Sequence, residues 1–386
     1  MRDGWRVAKL GDVCSFEKEQ AIHADLPYVG LENIESGTGR FLGATNAVSV
    51  KSATFRFSPT HLLYGRLRPY LNKVLLPEFE GHCSTEIFPI RPSADVSREY
   101  LFHWLSMDAT VKSIDATSTG ARMPRANMNA VLNLEIPVPP QTEQRRIVAI
   151  LDEAFEGIAT AKANAEKNLQ NARELFDSRL RSLVSEQAEA SDRKTLREIA
   201  MDFGRGKSKH RPRNDPKLYG GPYPFIQTGD VRGSDHLITD FAQTYSDAGL
   251  AQSKLWPKGT LCITIAANIA ETGVLGFDAC FPDSVIGVVV DERQTSSKYL
   301  EYMLQTVKAE LKAKGKGSAQ DNINLATFEN ERFPFPDLAT QASIVGSLDA
   351  LAAEIQRLEA IYANKLAALD ELKQSILHQA FSGGRS

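Results

Sequence analysis

The sequence predicts an α+β chain: two globular α/β domains separated by two long antiparallel coiled-coil helices, the whole forming a pseudo-twofold internal repeat. Two observations carry this. One phrase occurs twice, as IPVPPQTEQRRIVAILDEAF from Ile136 and FPFPDLATQASIVGSLDALAAEI from Phe333, so that Pro137, Gln144, Ile147, Leu151 and Asp152 fall on Pro334, Gln341, Ile344, Leu348 and Asp349. Each copy then runs on without proline, with apolar residues at alternating steps of three and four, which is the seam of a coiled-coil helix.

The expected order is a first domain over 1–141, a long helix over 142–188, a second domain over 189–339 and a second long helix with a tail over 340–386. The first domain offers short runs divided by Gly and Pro. LPYVGLENI from Leu26 and LLYGRLRPYLNKVLL from Leu62 alternate apolar and polar residues as half-buried strands do, and the spacing of Leu101, Trp104, Leu105 and Val111 predicts one short helix between Tyr100 and Ile114.

The first helix carries its seam on Ile147, Leu151, Ile158, Leu169 and Phe176, with small Ala154, Ala161 and Ala165 between them. At about 1.5 Å per residue the stretch from Thr142 to near Ser185 spans roughly 65 Å. A helix that long needs a partner for its apolar stripe, and the second helix offers Ile344, Leu348, Ile355, Leu366 and Leu369. Its period breaks once at Lys373, where Leu372 is expected to supply the contact. If the helices are antiparallel, Ser386 falls near Met1.

SEQAEASDRK reads as a linker, after which Leu196, Glu198 and Ile199 echo Leu10, Asp12 and Val13. The register shift between start and helix gives the second domain about eleven more residues. Its β-branched runs, GTLCITIAANIAETGVLGF and SVIGVVVDE, predict strands, and a helix is expected from Lys298 to about Lys312.

Composition narrows the function. Hydrophobic residues at 42% and charged residues at 24% fit a globular protein rather than a disordered one. No apolar run approaches the roughly 20 residues of a membrane span and the N-terminus lacks a signal core, so no membrane association and a cytoplasmic location are expected. Cys14, Cys83, Cys262 and Cys280 are isolated, as small core residues are. Gly206-Lys207-Ser208 ends like a phosphate loop, but Met201 stands where its first glycine belongs. No G-x-S-x-G or H-E-x-x-H occurs, the seven histidines are scattered, and no catalytic or metal residues are assigned.

A net charge of −3 argues against nucleic-acid binding until its distribution is considered. Much of the acid lies on the helices, while base collects between them. Lys207, Lys209, Arg211 and Arg213 crowd one loop, and Lys314 and Lys316 lead into Gln320 and Asn322. In the first half Arg122, Arg125 and Asn127 hold the place equivalent to that second group, and Arg66, Arg68, Tyr70 and Lys73 form a further surface on an alternating strand. Lysines suit phosphates, while Arg, Asn and Gln can pair with base edges. Solvated loops and turn-forming Asn are the other reading of each group.

Together these features resemble the specificity subunit of Type I restriction-modification systems over essentially the whole chain. The duplicated proline-helix phrase carries the likeness, joined by LLYGRLRPY from Leu62 and GGPYPFIQTGDV from Gly220, the latter adding Thr228 to the DNA-binding candidates. The resemblance implies two target-recognition domains, each reading one half of a bipartite double-stranded DNA site, with the helix pair as spacer. It implies two DNA-methyltransferase subunits as partners, placing an adenine N6 methyl from S-adenosylmethionine, and ATP-dependent restriction (nuclease-translocase) subunits. S-adenosylmethionine, ATP and Mg would then reside on those partners, with no cofactor and no enzymatic role in this chain. Two competing readings are a coiled-coil assembly scaffold with protein- or sugar-binding ends, and an autonomous DNA-modifying enzyme.

Overall fold

The computed structural model describes residues 4–22, 25–45, 52–188, 191–266, 270–315 and 325–382. Met1 and Ser386 lie outside them. The chain divides into two compact units, Met1–Glu166 with Tyr362–Ser386, and Lys167–Ile361, so both long helices contribute to each.

In the first unit a four-stranded antiparallel sheet runs Cys14–Phe16, Ile87–Pro92, Leu62–Gly65, Val74–Leu75, beside a second sheet of Gln20–Ala21, Thr54–Phe57, Gly81–Cys83 and Tyr28–Val29. A ribbon pairs Arg6–Lys9 with Glu135–Val138, setting Val7 opposite Pro137. The alternation expected from Leu62 gives way to two strands and a loop. Leu62–Gly65 is a central strand whose four residues are all buried, so core covers both of its faces and Leu-Leu-Tyr-Gly does not alternate. The single helix expected from Tyr100 is two, Arg98–Leu105 and Asp108–Asp115, broken where Met107 takes an extended backbone.

The second unit builds a five-stranded sheet of Ala200–Arg205, Val285–Val290, Leu261–Thr264, Thr272–Leu275 and Leu237–Ile238. A four-stranded sheet follows the order Gln243–Tyr245, Tyr219–Phe225, Ala279–Cys280, Leu255–Trp256. The expected linker is consumed at both ends: the first long helix continues to Ala188, and Asp192–Lys194 pairs with Phe333–Phe335, setting Arg193 opposite Pro334. That ribbon repeats the one in the first unit.

The two echoing starts form the same turn. Leu10 and Val13, like Leu196 and Ile199, are fully buried, and the carboxylates of Asp12 and Glu198 accept from the backbone N–H of Lys9 and Thr195.

The long helices are Gln141–Ala188 and Leu338–Phe381. Within the first unit Lys162 pairs with Asp370, and within the second Arg173 pairs with Glu359, a register that only antiparallel helices give. Ile147 and Leu151 are buried, as are Ile344 and Leu348, because helix ends join the globular cores, and Ile158 is buried as well. Leu169, Ile355, Leu366 and Leu369 are half-buried, since one helix covers only one side of the other, and half-buried Phe176 packs against the second unit's core. The seam break is filled otherwise than expected. Leu372 is 47% exposed, while Lys373 turns inward, its Nζ 5.1 Å from the Phe155 ring centre and donating to Gly37 O at 3.2 Å.

Candidate nucleic-acid interface

The duplicated phrase acts first as a clamp. Gln144 is fully buried; its Oε1 accepts from Ser97 N at 2.9 Å and its Nε2 donates to the carbonyls of Asp95 and Pro139. Gln341 repeats this with Thr295 Oγ1, Gln294 O and Pro336 O. Tyr100 and Tyr299 donate to Pro137 O and Pro334 O, so each short helix is tied to its proline strand. Asp152 meets His103 Nε2 at 2.9 Å, and Asp349 accepts from Tyr302 and pairs with Lys298. Burial holds the His103 pKa below its ordinary value against the pull of Asp152.

In the first unit the structure joins two candidate groups that lie far apart in sequence. Arg68 N donates to Pro124 O and Ala126 N to Arg66 O, zipping the loop after Leu62–Gly65 onto the loop before the first long helix. Arg66 and Arg125 both grip Glu86, through Nε at 2.9 and 2.8 Å. Arg68, Tyr70 and Lys73 therefore stand on a loop rather than the strand expected. Arg68 adopts a left-handed backbone, φ 51°, which turns the chain sharply there. Arg68 and Arg122 are exposed and carry no ion pair among the described residues, and Tyr70 is exposed too. Lys73 is turned inward onto Leu31 O and Ile34 O, and Asn127 caps the turn Met128–Val131 by accepting from Asn129 N and Ala130 N. Glu86, the hub of this surface, gave no sequence signal.

In the second unit the basic loop folds back on acids. Arg213 pairs with Asp283 at 2.9 Å, Arg211 donates to its own loop at Ser208 O and His210 O, and Asp215 binds His210 and Lys217. The Lys217 N–H and ammonium hold the Asp215 carboxyl below its usual range. Lys207 and Lys209 are exposed and carry no ion pair among the described residues. Arg213 and Thr228 line one cavity of about 320 Å³, together with Ser208, Gln227, Gln243 and Ser284. Of these Gln227 stands beside Thr228 in the FIQTGDV phrase, and Gln243 was invisible in sequence. Lys314 falls on the helix Ser297–Gly315, and Lys316, Gln320 and Asn322 lie outside the described residues.

The second unit also holds a buried polar cluster. Glu301, 1% exposed at its side chain, accepts from Thr272 Oγ1 and meets His236 Nδ1 at 2.8 Å, which raises the His236 pKa. The four cysteines are buried and unpaired, and burial pushes the Cys14 thiol up to about 12. Among the described residues no group of three or more His, Cys, Asp or Glu is placed to hold a metal ion, and no helix is long and apolar enough to cross a membrane.

Residues 2–170 and 193–365 match the family described as Type I restriction modification DNA specificity domain, one copy per half of the repeat. The chain belongs to that family. It is 27% identical to the Type I restriction enzyme EcoDI specificity subunit of Escherichia coli over 169 residues, which is 43% of this chain and 37% of that protein. Against the StySPI specificity subunit of Salmonella potsdam identity is 21% over 99% of this chain and 89% of that protein; against the EcoKI specificity subunit of Escherichia coli K12 it is 22% over the same shares. The fold is shared with a chain from a structure of the assembly and conformational transition of the type I R-M system, at a TM-score of 0.81, 23% identity and coverage of 99% and 98%. The HsdS subunit of Thermoanaerobacter tengcongensis follows at 0.61, 23% identity and coverage of 99% and 97%. The chain is thus a DNA specificity subunit by family, and the assembly-scaffold reading finds no support in these matches.

Proposed function

We propose that each unit reads one half of a bipartite, asymmetric site in double-stranded DNA, and that the paired helices set the number of unread base pairs between the halves. Chemistry belongs to other polypeptides in this reading: two DNA-methyltransferase subunits docked on the helical region, using S-adenosylmethionine, and restriction subunits using ATP and Mg, all in the cytoplasm. The observation that carries it is one family domain in each half, with matching clamps but unlike basic faces. Shared clamps serve a shared mounting; unlike faces serve different sequences.

In the first unit Arg68, Arg122 and Tyr70 would meet the DNA directly, with Arg66 and Arg125 aimed by Glu86. In the second, Lys207 and Lys209 would lie against phosphates, with Arg211, Arg213 and Thr228 nearer the bases. Lys73 and Asn127 would act from behind, holding the loops that carry these groups. The test is sequencing of methylated adenines in cells expressing this chain with its methyltransferase partner. A two-part motif with a fixed gap is expected. Methylation without such a motif, or none, overturns the proposal.

A further inference from the structure

Gln227 is half-buried, its backbone N–H held at 2.7 Å by Asp230 Oδ2, and Gln243 is exposed on the edge strand beside it, opposite Phe225. Gln227 Nε2 donates to Gln243 Oε1 at 2.8 Å. That bond uses the donor half of one amide and the acceptor half of the other. It leaves Gln227 Oε1 as an acceptor and Gln243 Nε2 as a donor, on two joined side chains that line the same cavity as Arg213. Two lone surface glutamines would each lose rotamer freedom on binding; two that already hold each other lose less.

We infer that Gln227 and Gln243 form a paired-amide reader that hydrogen-bonds the major-groove edge of one base pair in the half-site of the second unit. The inference rests on the proposed function and assigns that function's specificity to two particular side chains. A donor and an acceptor carried by one joined pair is the chemistry that base edges answer and phosphates do not, because phosphate oxygens only accept. The neighbours complete the division of labour. Lys207 and Lys209, with no ion pair among the described residues, bring charge for the backbone. Arg213 pairs with Asp283, and Tyr219 Oη donates to Arg213 O at 2.6 Å, which holds the backbone that carries it.

The experiment uses the complex of this chain with its methyltransferase partner, measuring competitive binding to DNA in which each base pair of the site is varied in turn. In Gln243→Ala and in Gln227→Ala, discrimination at one position of one half-site is expected to fall on the order of tenfold, while the other half-site is unchanged. Lys207→Ala with Lys209→Ala should weaken all sequences alike and flatten the salt dependence. Gln243→Glu turns the free donor into an acceptor and should change the preferred base at that same position. Discrimination within twofold of the parent at every position, in both alanine variants and in Gln243→Glu, overturns the inference. A parent complex that selects no two-part site sinks the proposed function itself, so the two failures are told apart.

Discussion

Gln144 and Gln341 show why the chain repeats a phrase instead of merely a pattern of apolar residues. Each side-chain amide ties the turn before a helix to the proline that precedes the long helix: Gln144 bonds Asp95 O, Ser97 N and Pro139 O, and Gln341 bonds Gln294 O, Thr295 Oγ1 and Pro336 O. No other side chain of that length offers both a donor pair and an acceptor in one plane. In Gln144→Ala the Ser97 N–H and the carbonyls of Asp95 and Pro139 lose their buried partner, and stability should fall by about 2–3 kcal/mol, read as a lower urea midpoint at unchanged slope. Gln341→Ala should behave alike, because its side chain does the same work at 2% exposure. A loss below about 0.5 kcal/mol in both would mean that water replaces the amide, and the clamp would then have no energetic content.

At the level of elements, what could be read in advance followed the range of the interactions that decide each one. The long helices were legible because their signal is local and repeated, with Ile147, Leu151, Ile344 and Leu348 all where the period puts them. Leu62–Gly65 was misread because core on both faces of the strand erases alternation. The joining of the Arg68 and Arg122 loops rests on backbone bonds from Arg68 to Pro124, and the quieting of Arg213 on an aspartate seventy residues away; neither leaves a local trace. Lys373 is the instructive miss. A lysine on a seam reads as a break, yet its stem packs and its ammonium finds Gly37 O, at the cost of desolvation that lowers its pKa, with Lys162 adding repulsion. Lys373→Met keeps the stem and removes the half-buried charge. It should raise stability by roughly 1 kcal/mol and the melting temperature by about 2–4 °C in a scanning calorimeter. A lower melting temperature would instead make the bond to Gly37 the dominant contribution, and the lysine a strap between helix and sheet.

Across the whole molecule, the repeat separates what is conserved between the halves from what is free to differ. The ribbon, the capped turn, the glutamine clamp and the helix seam recur, while the first unit shows arginines gathered on a glutamate and the second shows lysines beside an amide-lined cavity. Such a division lets either face change without disturbing the mounting, and it makes the length of the helices a separate variable. Under the proposed function that length sets the unread gap. Inserting four residues into both helices at facing positions adds about 6 Å to each. With base pairs rising about 3.4 Å, that is a little under two steps of DNA. The insertion moves the seam by less than half a turn, because four residues exceed one turn of 3.6 only slightly, so the apolar stripes still meet. The expected outcome is a methylated motif whose two halves keep their sequences while the gap lengthens by one or two base pairs. If the halves persist with the gap unaltered, spacing is set by the partner subunits and the helices serve only to dock them; if both halves change, base choice and spacing are not separable in this chain.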